Sequence, residues 1–317
     1  MIFEKIILKK YKGMFDKRCD GNPLAKYLTP EELGIKKLPL EVKGDKGILK
    51  GYFYYCTDEK RTDKLIIFDH GMGAGHNAYM REIATIANKG YTVFAYDHTG
   101  CMESEGEGTV GFAQSLNDLD KVINAIKFTK EYSSSELCVV GHSWGAFAAL
   151  NIPMLHPDLK TCVAISGFIS VEQIINQFFD GILKGYRKTI LKHEKELNPA
   201  YAAVDARESL LKTKTKMLII HSTDDPTVKA EKHFELLRSA LTSNDNVRYL
   251  RFENKKHTPN YTEYAVNYLG EFSSAAAKLA KKKPTEEQIK AFRDKWDFVR
   301  MTEQDEEVWK NIFRFIG

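Results

Sequence analysis

Charge of one sign is what this chain most lacks. Its 317 residues carry 47 Lys and Arg against 43 Asp and Glu, a net charge of +4. So small an imbalance supplies no electrostatic reason for a nucleic-acid partner, and none is expected. Cysteine is scarce, with five residues in all. The number is odd and the positions are scattered. Cys56, Cys138 and Cys162 lie in apolar, strand-like runs, so reduced and mostly buried thiols in a cytoplasmic protein are expected. The first residues, MIFEKIILKKYKGMF, hold an acid at Glu4 and an apolar run of only Ile6–Leu8. Neither a signal peptide nor a membrane span is expected there, and no stable membrane insertion is expected. Repeats and low-complexity linkers are absent as well. With 43% hydrophobic and 28% charged residues, the composition is that of a soluble globular protein with a large core. The length suits about two domains, or one large α/β unit with additions.

The stretch Glu136–Gly145, ELCVVGHSWG, organises the rest. Leu137–Val140 is a short apolar run that reads as a buried strand, and Ala146–Leu150 is a strong helix former. Gly141-His142-Ser143-Trp144-Gly145 between them fits Gly-x-Ser-x-Gly. A strand that turns into a helix within about four residues forces its central residue into a strained backbone, and flanking glycines relieve the crowding. Ser143 is thereby exposed at a helix N-terminus, where N–H donors favour a developing oxyanion.

Around this stretch apolar strands alternate with helical patterns. Strands are expected at 37–44, 48–56, 65–68, 91–96, 137–140, 161–165, 217–220 and 247–252, and helices at 78–88, 112–131 and 146–155. Such alternation predicts a doubly wound, mostly parallel eight-stranded sheet with helices on both faces. The core is expected over 37–168 and 214–283. Residues 1–36 read as a helical extension, with Phe3, Ile6, Ile7, Lys10 and Tyr11 on one helix face and a helix start at Thr29-Pro30-Glu31-Glu32. Between 169 and 213 no strand pattern occurs. Ser170-x-x-Gln173 is a capping box that opens a helix with Val171, Ile174, Ile175, Phe178 and Ile182 along one side, and Tyr186–Leu197 forms a second helix. An insertion of that length beside the nucleophile is expected to be a lid. Residues 284–317 form a helical extension with capping boxes at Thr285-x-x-Gln288 and Thr302-x-x-Asp305. Its first apolar stripe is Ile289, Phe292, Trp296 and Val299, and its second is Val308, Ile312 and Ile316. Docking on the same domain is the simpler reading of these stripes, and a homodimer contact is the alternative.

A serine hydroxyl needs a histidine to take its proton and an acid to hold that histidine. The order Ser, then Asp or Glu, then His is present along the chain. Asp224 and Asp225 follow the strand at 217–220, and His257 follows the one at 247–252. Both loops fall at the sheet edge that carries Ser143, where α/β proteins place their sites. His142 is expected to point elsewhere, and His193 and His233 to be surface or packing residues. The Trp144 N–H and the Met72 N–H are the expected oxyanion donors, Met72 lying in the Gly-rich loop 69–75 after a strand. That loop lacks the Lys-Ser/Thr ending of a phosphate cradle. His70 and His76 lack a third ligand at metal spacing. Neither a cofactor nor a metal is expected.

Over roughly residues 40–280 the sequence resembles the α/β-hydrolase superfamily. The resemblance rests on His70-Gly71 after a strand, Tyr96-Asp97-His98-Thr99-Gly100 with Glu103-Ser104, Gly141-His142-Ser143-Trp144-Gly145, Asp225-Pro226-Thr227-Val228 and His257. It is similar in flavour to carboxylesterases, feruloyl esterase-like proteins, lysophospholipase-like proteins and the serine aminopeptidase-like group. Ser222 stands where relatives usually carry Gly, and this register selects Asp225 over Asp224. Thr99 and Met102 stand where relatives often have Arg and Gly, a departure that bears on pocket shape. The resemblance implies a serine hydrolase with Ser143 as nucleophile, His257 as base and Asp225 as its orienting acid. A carboxylic ester with an apolar acyl or aryl part is the expected substrate, covered by Phe178 and Phe179 of the insertion. A thioester or small peptide is the alternative, and a non-catalytic binding protein on the same scaffold is the alternative of another class.

Overall fold

Two residues out of three along the central strands are apolar, so neither face of the sheet can be left in water. The computed structural model describes residues 2–56 and 63–317, so positions 57–62 of the expected core lie outside it. Eight strands form one sheet: β1 (Lys36–Lys43), β2 (Ile48–Tyr55), β3 (Lys64–Asp69), β4 (Thr92–Tyr96), β5 (Glu136–His142), β6 (Thr161–Ile165), β7 (Lys216–Ser222) and β8 (Val247–Phe252). Their order is β1-β2-β4-β3-β5-β6-β7-β8. The β1–β2 and β2–β4 pairs are antiparallel and every later pair is parallel. The expected sheet is therefore present, with β5 near its centre.

Strand alternation divides the core in two. Leu65, Ile67, Val139, Cys162 and Ile219 face one layer, built from helices Gln114–Phe128, Trp144–Asn151 and Phe234–Ala240. Ile66, Phe68, Cys138, Val140, Val163 and Ile220 face the other, covered by helices Met80–Asn88 and Glu306–Ile316. Each of these side chains, fully buried, contributes roughly 1.5–3 kcal/mol relative to exposure. Crossover helices on both faces bring the C-terminal ends of the parallel strands to one edge, where the site loops emerge.

The additions depart from several sequence expectations. Helix Ile2–Phe15 buries Tyr11 and Phe15, with Ile7 packed alongside, whereas Phe3 is 73% exposed. The buried face thus runs along i, i+4 spacing from Ile7, and the expected face that included Phe3, Ile6 and Lys10 is turned away. Thr29 and Glu32 exchange both capping hydrogen bonds, at 3.2 and 2.8 Å, yet only a turn follows them. In the tail, Thr285 and Gln288 form a full capping box. The last helix instead starts at Glu306, because the Asp305 carboxylate takes the Glu307 and Val308 N–H groups; Thr302 closes the short helix Phe298–Met301. Val299 falls outside the expected stripe and is 47% exposed. Val308, Trp309, Ile312 and Ile316 cover the sheet directly. Helix Glu263–Ala280 packs Phe272 and Ala276 against Leu24, Phe298 and Met301 in a separate small cluster.

The insertion after β6 holds helices Val171–Phe178 and Arg187–Leu197, joined by a 3₁₀ segment Gly181–Tyr186. Ser170 caps the first helix through the Gln173 N–H, but the Gln173 side chain donates to Lys232 O, so the capping box is not reciprocal. Val171, Ile174, Ile175 and Ile190 are buried in the main core. Ile182 is 97% exposed, since the helix ends at Phe178 and Asp180 caps a new turn. Glu194, fully buried, accepts the Tyr11 hydroxyl and the Phe112 N–H, which fastens insertion, N-terminal helix and core together.

Candidate active site

Ser143 occupies the turn from β5 into helix Trp144–Asn151 with φ 55° and ψ −107°. For a residue with a Cβ this backbone costs about 1–3 kcal/mol, a strain typical of sites where geometry is imposed on one side chain. The flanking glycines make it sterically possible. A Cβ on Gly141 would stand 2.3 Å from the Gly145 carbonyl oxygen, and one on Gly145 would stand 2.1 Å from that of Asp69. The Ser143 N–H donates to Ile165 O at 2.8 Å, tying the turn to β6.

Three expected site residues, far apart in sequence, meet here. His257 Nε2 lies 2.8 Å from Ser143 Oγ, and His257 Nδ1 lies 2.7 Å from Asp225 Oδ2. Asp225 is buried after β7. Its Oδ1 accepts the Thr227 and Val228 N–H groups at 2.8 and 3.0 Å, and its Oδ2 also faces His221 Nε2 at 3.4 Å. Burial acts to raise its pKa, but hydrogen bonds from His221 and His257 outweigh it, and the carboxyl stays well below the usual carboxylate range. The anion facing Nδ1 requires a proton on that nitrogen, which leaves Nε2 free to accept the Ser143 proton. Asp224 is not part of this chain of contacts. It accepts Ser222 Oγ at 2.6 Å and the Lys256 N–H at 3.2 Å, and pairs with Lys256 Nζ at 2.8 Å. Ser222, at the usual glycine position, thus shapes the His257 loop through Asp224.

The loop that carries Met72 packs against Ser143: a Cβ on Gly71 would stand 3.2 Å from Ser143 Cβ. Trp144 opens its helix, where first-turn N–H groups lack intrahelical partners. Among the described residues the Met72 N–H has no hydrogen-bond partner, and the Met72 side chain is 40% exposed. Behind them lies a buried ionic cluster. The His98 ring stands between Asp69 and Asp118 with its centroid 4.8 Å from that of Trp144, tilted to it by 51°, and the His98 backbone N–H donates to His70 Nε2 at 3.0 Å. Burial acts against charge on His98, but the two aspartates overcome it and raise its pKa to about 10. His70 therefore accepts at Nε2 and donates from Nδ1 to Gly71 O at 2.6 Å; burial and the His98 charge lower its pKa to about 3.

His142 corrects the sequence expectation. Its ring packs 4.9 Å from that of His257, and its Nε2 lies 2.8 Å from the His257 carbonyl oxygen. A carbonyl only accepts, so Nε2 carries the proton and Nδ1 accepts the Tyr79 hydroxyl at 2.8 Å. Tyr79 in turn accepts the Gly71 N–H at 3.1 Å. A continuous chain of hydrogen bonds thus joins the Met72 loop to the His257 backbone. Burial and His257 lower the His142 pKa to about 3, which keeps it neutral. The position of His142 inside the motif was a signal; nothing in the sequence marked Tyr79 or His221. His233, buried, holds the Ile169 N–H with Nδ1 at 3.3 Å, a packing role as expected.

Phe178 and Phe179 diverge. Phe178 is 47% exposed and stacks on Phe112, ring centroids 6.3 Å apart, and the Phe112 carbonyl oxygen accepts the Trp144 Nε1 hydrogen. Phe179 packs inward against Tyr11, 6.1 Å between centroids. His76 has its nitrogens on Asp97 and Tyr54, and no cluster of three or more potential metal ligands occurs among the described residues.

The sequence profile of the family described as serine aminopeptidase, S33, matches residues 60–200. Rat (Rattus norvegicus) monoglyceride lipase is 31% identical over 122 residues, 37% of this chain and 38% of the lipase. A proline iminopeptidase of Thermoplasma volcanium is 27% identical over 150 residues, 45% of this chain and 49% of that protein. The chain thus spans half or less of the length of these curated relatives. Among solved structures, a Pyrococcus furiosus esterase superposes with a TM-score of 0.59 at 20% identity, covering 84% of this chain and 98% of the esterase. A Butyrivibrio proteoclasticus protein with ferulic acid bound gives 0.54 at 15% identity, covering 75% and 99%. The sheet order, the strained serine turn and these superpositions together give the chain the α/β-hydrolase fold.

Proposed function

We propose that the protein is a serine hydrolase that cleaves a carboxylic ester through an acyl-enzyme. The observation that carries this reading is the pair of contacts from Ser143 Oγ to His257 Nε2 at 2.8 Å and from His257 Nδ1 to Asp225 Oδ2 at 2.7 Å. Ser143 attacks the carbonyl carbon while His257 takes its proton. The oxyanion is held by the Met72 and Trp144 N–H groups. His257 then protonates the leaving group, and water, activated by the same histidine, cleaves the acyl-enzyme. Asp225 stabilises the imidazolium. His142 and Tyr79 are positioning residues that keep the base loop and the oxyanion loop in register.

Kinship with a monoglyceride lipase and the fold of an esterase support an apolar acyl or aryl ester. A small peptide is the second reading, favoured by the serine aminopeptidase profile and the proline iminopeptidase match. Serine at 143 speaks against epoxide chemistry, despite 30% identity over 103 residues to an epoxide hydrolase of Mycobacterium tuberculosis, because that chemistry uses an aspartate nucleophile. A fluorophosphonate probe should label Ser143 alone, and Ser143→Ala should abolish labelling and lower kcat by at least about 10³-fold with the fold intact. A panel of p-nitrophenyl esters and aminoacyl-nitroanilides separates the two substrate classes. Hydrolysis by the folded alanine variant at the wild-type rate would refute the reading.

A further inference from the structure

The N-terminal extension returns to the sheet beside the Met72 loop. Cys19 and Cys101 form a parallel backbone bridge, with the Cys19 N–H on Gly100 O at 2.8 Å and the Met102 N–H on Cys19 O at 3.2 Å. Arg18 locks this crossing in place. Its guanidinium donates to the carbonyls of Met102, Ser104 and Gly106 at 2.7, 3.0 and 2.7 Å. Bridged strands lie about 4.8 Å apart, inside the roughly 4.4–6.8 Å between Cα atoms that a disulfide accepts. Paired residues of a parallel bridge project their side chains to the same side, so the Cys101 thiol faces the Cys19 sulfur, with the Gly73 backbone nearby. Cys101 is fully buried and Cys19 is partly exposed. The contact with Cys101 holds the Cys19 pKa below that of an ordinary thiol although burial opposes it, and the same contact, with burial, drives Cys101 far up. An acidified, accessible thiol with a protonated neighbour beside it is the arrangement of an attacking and a resolving cysteine.

The oxyanion loop rests on this crossing. A Cβ on Gly21 would touch Ala74 Cβ at 3.4 Å, and one on Gly75 would overlap Met102 Cγ at 2.7 Å. Gly73, with φ 141°, follows Met72 directly and brings its backbone near the Cys19 sulfur.

We propose that Cys19 and Cys101 are a reversible dithiol–disulfide site, and that its oxidation by a low-molecular-weight disulfide weakens the oxyanion loop. The Cys19 thiolate attacks one sulfur of the oxidant, forms a mixed disulfide and expels one thiolate, which takes up the Cys19 proton from water. Cys101 then attacks the Cys19 sulfur and expels the second thiolate, which receives the Cys101 proton. Two protein thiols are oxidised and one small disulfide is reduced to two thiols. The two sulfurs draw together, and the loop backbone that rests on this crossing shifts with them.

The chemistry of the pair is independent of the hydrolase reading; its effect on activity rests on that reading. Reduced full-length protein is incubated with glutathione disulfide and mapped by intact mass and peptide analysis. The expected result is the loss of two hydrogens, no glutathione adduct, and a Cys19–Cys101 crosslink with Cys56, Cys138 and Cys162 still free. Cys101→Ser should stop at a glutathione adduct on Cys19. A crosslink through another cysteine, or an adduct on wild-type Cys19 that never resolves, overturns the site without need of any variant. Hydrolysis of a p-nitrophenyl ester should fall about tenfold or more on oxidation, since outright loss of an oxyanion donor costs about 10²–10³-fold. It should return with dithiothreitol and be indifferent to glutathione disulfide in Cys19→Ser. Full crosslinking with unchanged hydrolysis overturns the link to the loop. If the reduced protein neither hydrolyses esters nor takes the fluorophosphonate, the hydrolase reading fails and the peptide map alone decides the dithiol site.

Discussion

Asp224 and Asp225 are adjacent, chemically identical and separated in role by their surroundings alone. Asp225 faces inward from β7, receives two backbone N–H groups and lies against two histidines. Asp224 faces the rim, where Lys256 and Ser222 hold it. Asp225→Asn should leave His257 with the wrong tautomer and lower kcat by up to about 10⁴-fold. Asp224→Asn should cost far less, since it only loosens the loop. Steady-state kinetics of both variants check this ranking, and the reverse order would move the acid to Asp224.

Within the insertion, element ends decide what each aromatic ring can do. Helix Val171–Phe178 stops just where the chain must turn toward Asp180, so Phe178 is left half-exposed against Phe112 and Phe179 swings onto Tyr11. We expect Phe179→Ala to lower the melting temperature without altering ester preference. Phe178→Ala should leave stability nearly unchanged and reduce kcat/KM for aryl or medium-chain esters relative to acetate, by roughly 5- to 150-fold for a lost contact of about 1–3 kcal/mol. Melting curves beside kcat/KM across chain lengths are the measurement. Equal melting losses with an unchanged preference would make both rings structural pins.

At the scale of the molecule, the C-terminal segment is wired to the loop that carries His257. Lys255 Nζ reaches Asp305 and Tyr261 O, each at 2.6 Å, and the Asp305 N–H donates to Asn260 O at 2.8 Å. Asn260 bridges Glu82 Oε1 and Gln304 Oε1 at 3.2 Å each, and Trp309 Nε1 holds Gln304 at 2.7 Å. Glu82 is the buried carboxyl at the centre, and burial raises its pKa to about 7 from the model-compound 4.5. A raised carboxyl pKa means the native state holds a proton that the unfolded chain has released between about pH 4.5 and 7, so stability falls as pH rises through that window. The whole effect is up to about 3 kcal/mol. Glu82→Gln should therefore flatten the decline of melting temperature between pH 4.5 and 8 and raise the value at pH 8. Wild-type melting that does not fall across this range would contradict it. Asp225 works in the opposite direction: its lowered pKa contributes stability above the usual carboxylate range, lost as pH falls through the acid range.

What the sequence determined by itself was whatever local chemistry imposes. Gly-x-Ser-x-Gly between an apolar strand and a helix former can hardly fold otherwise, because neither glycine position has room for a Cβ. Unbroken apolar runs at 65–68, 137–140 and 217–220 prescribe a sheet buried on both faces, and strand–helix alternation prescribes parallel pairing. From these the placement of Ser143, Asp225 and His257 at one sheet edge could be anticipated, and the structure brings them within hydrogen-bonding distance. Tertiary structure alone decided the rest. A capping signature marks a helix start only where packing continues the helix, so Thr29–Glu32 remained a turn and Thr302 yielded to Asp305. The buried face of helix Ile2–Phe15 depended on Glu194, 183 residues away, waiting to receive the Tyr11 hydroxyl. His142 faces His257 rather than away, because the partner that orients it, Tyr79, lies on another element brought near only when the sheet closes over helix Met80–Asn88. Contacts of that kind leave no local trace, since hydrogen bonds between distant residues place no constraint on the neighbours of either in sequence.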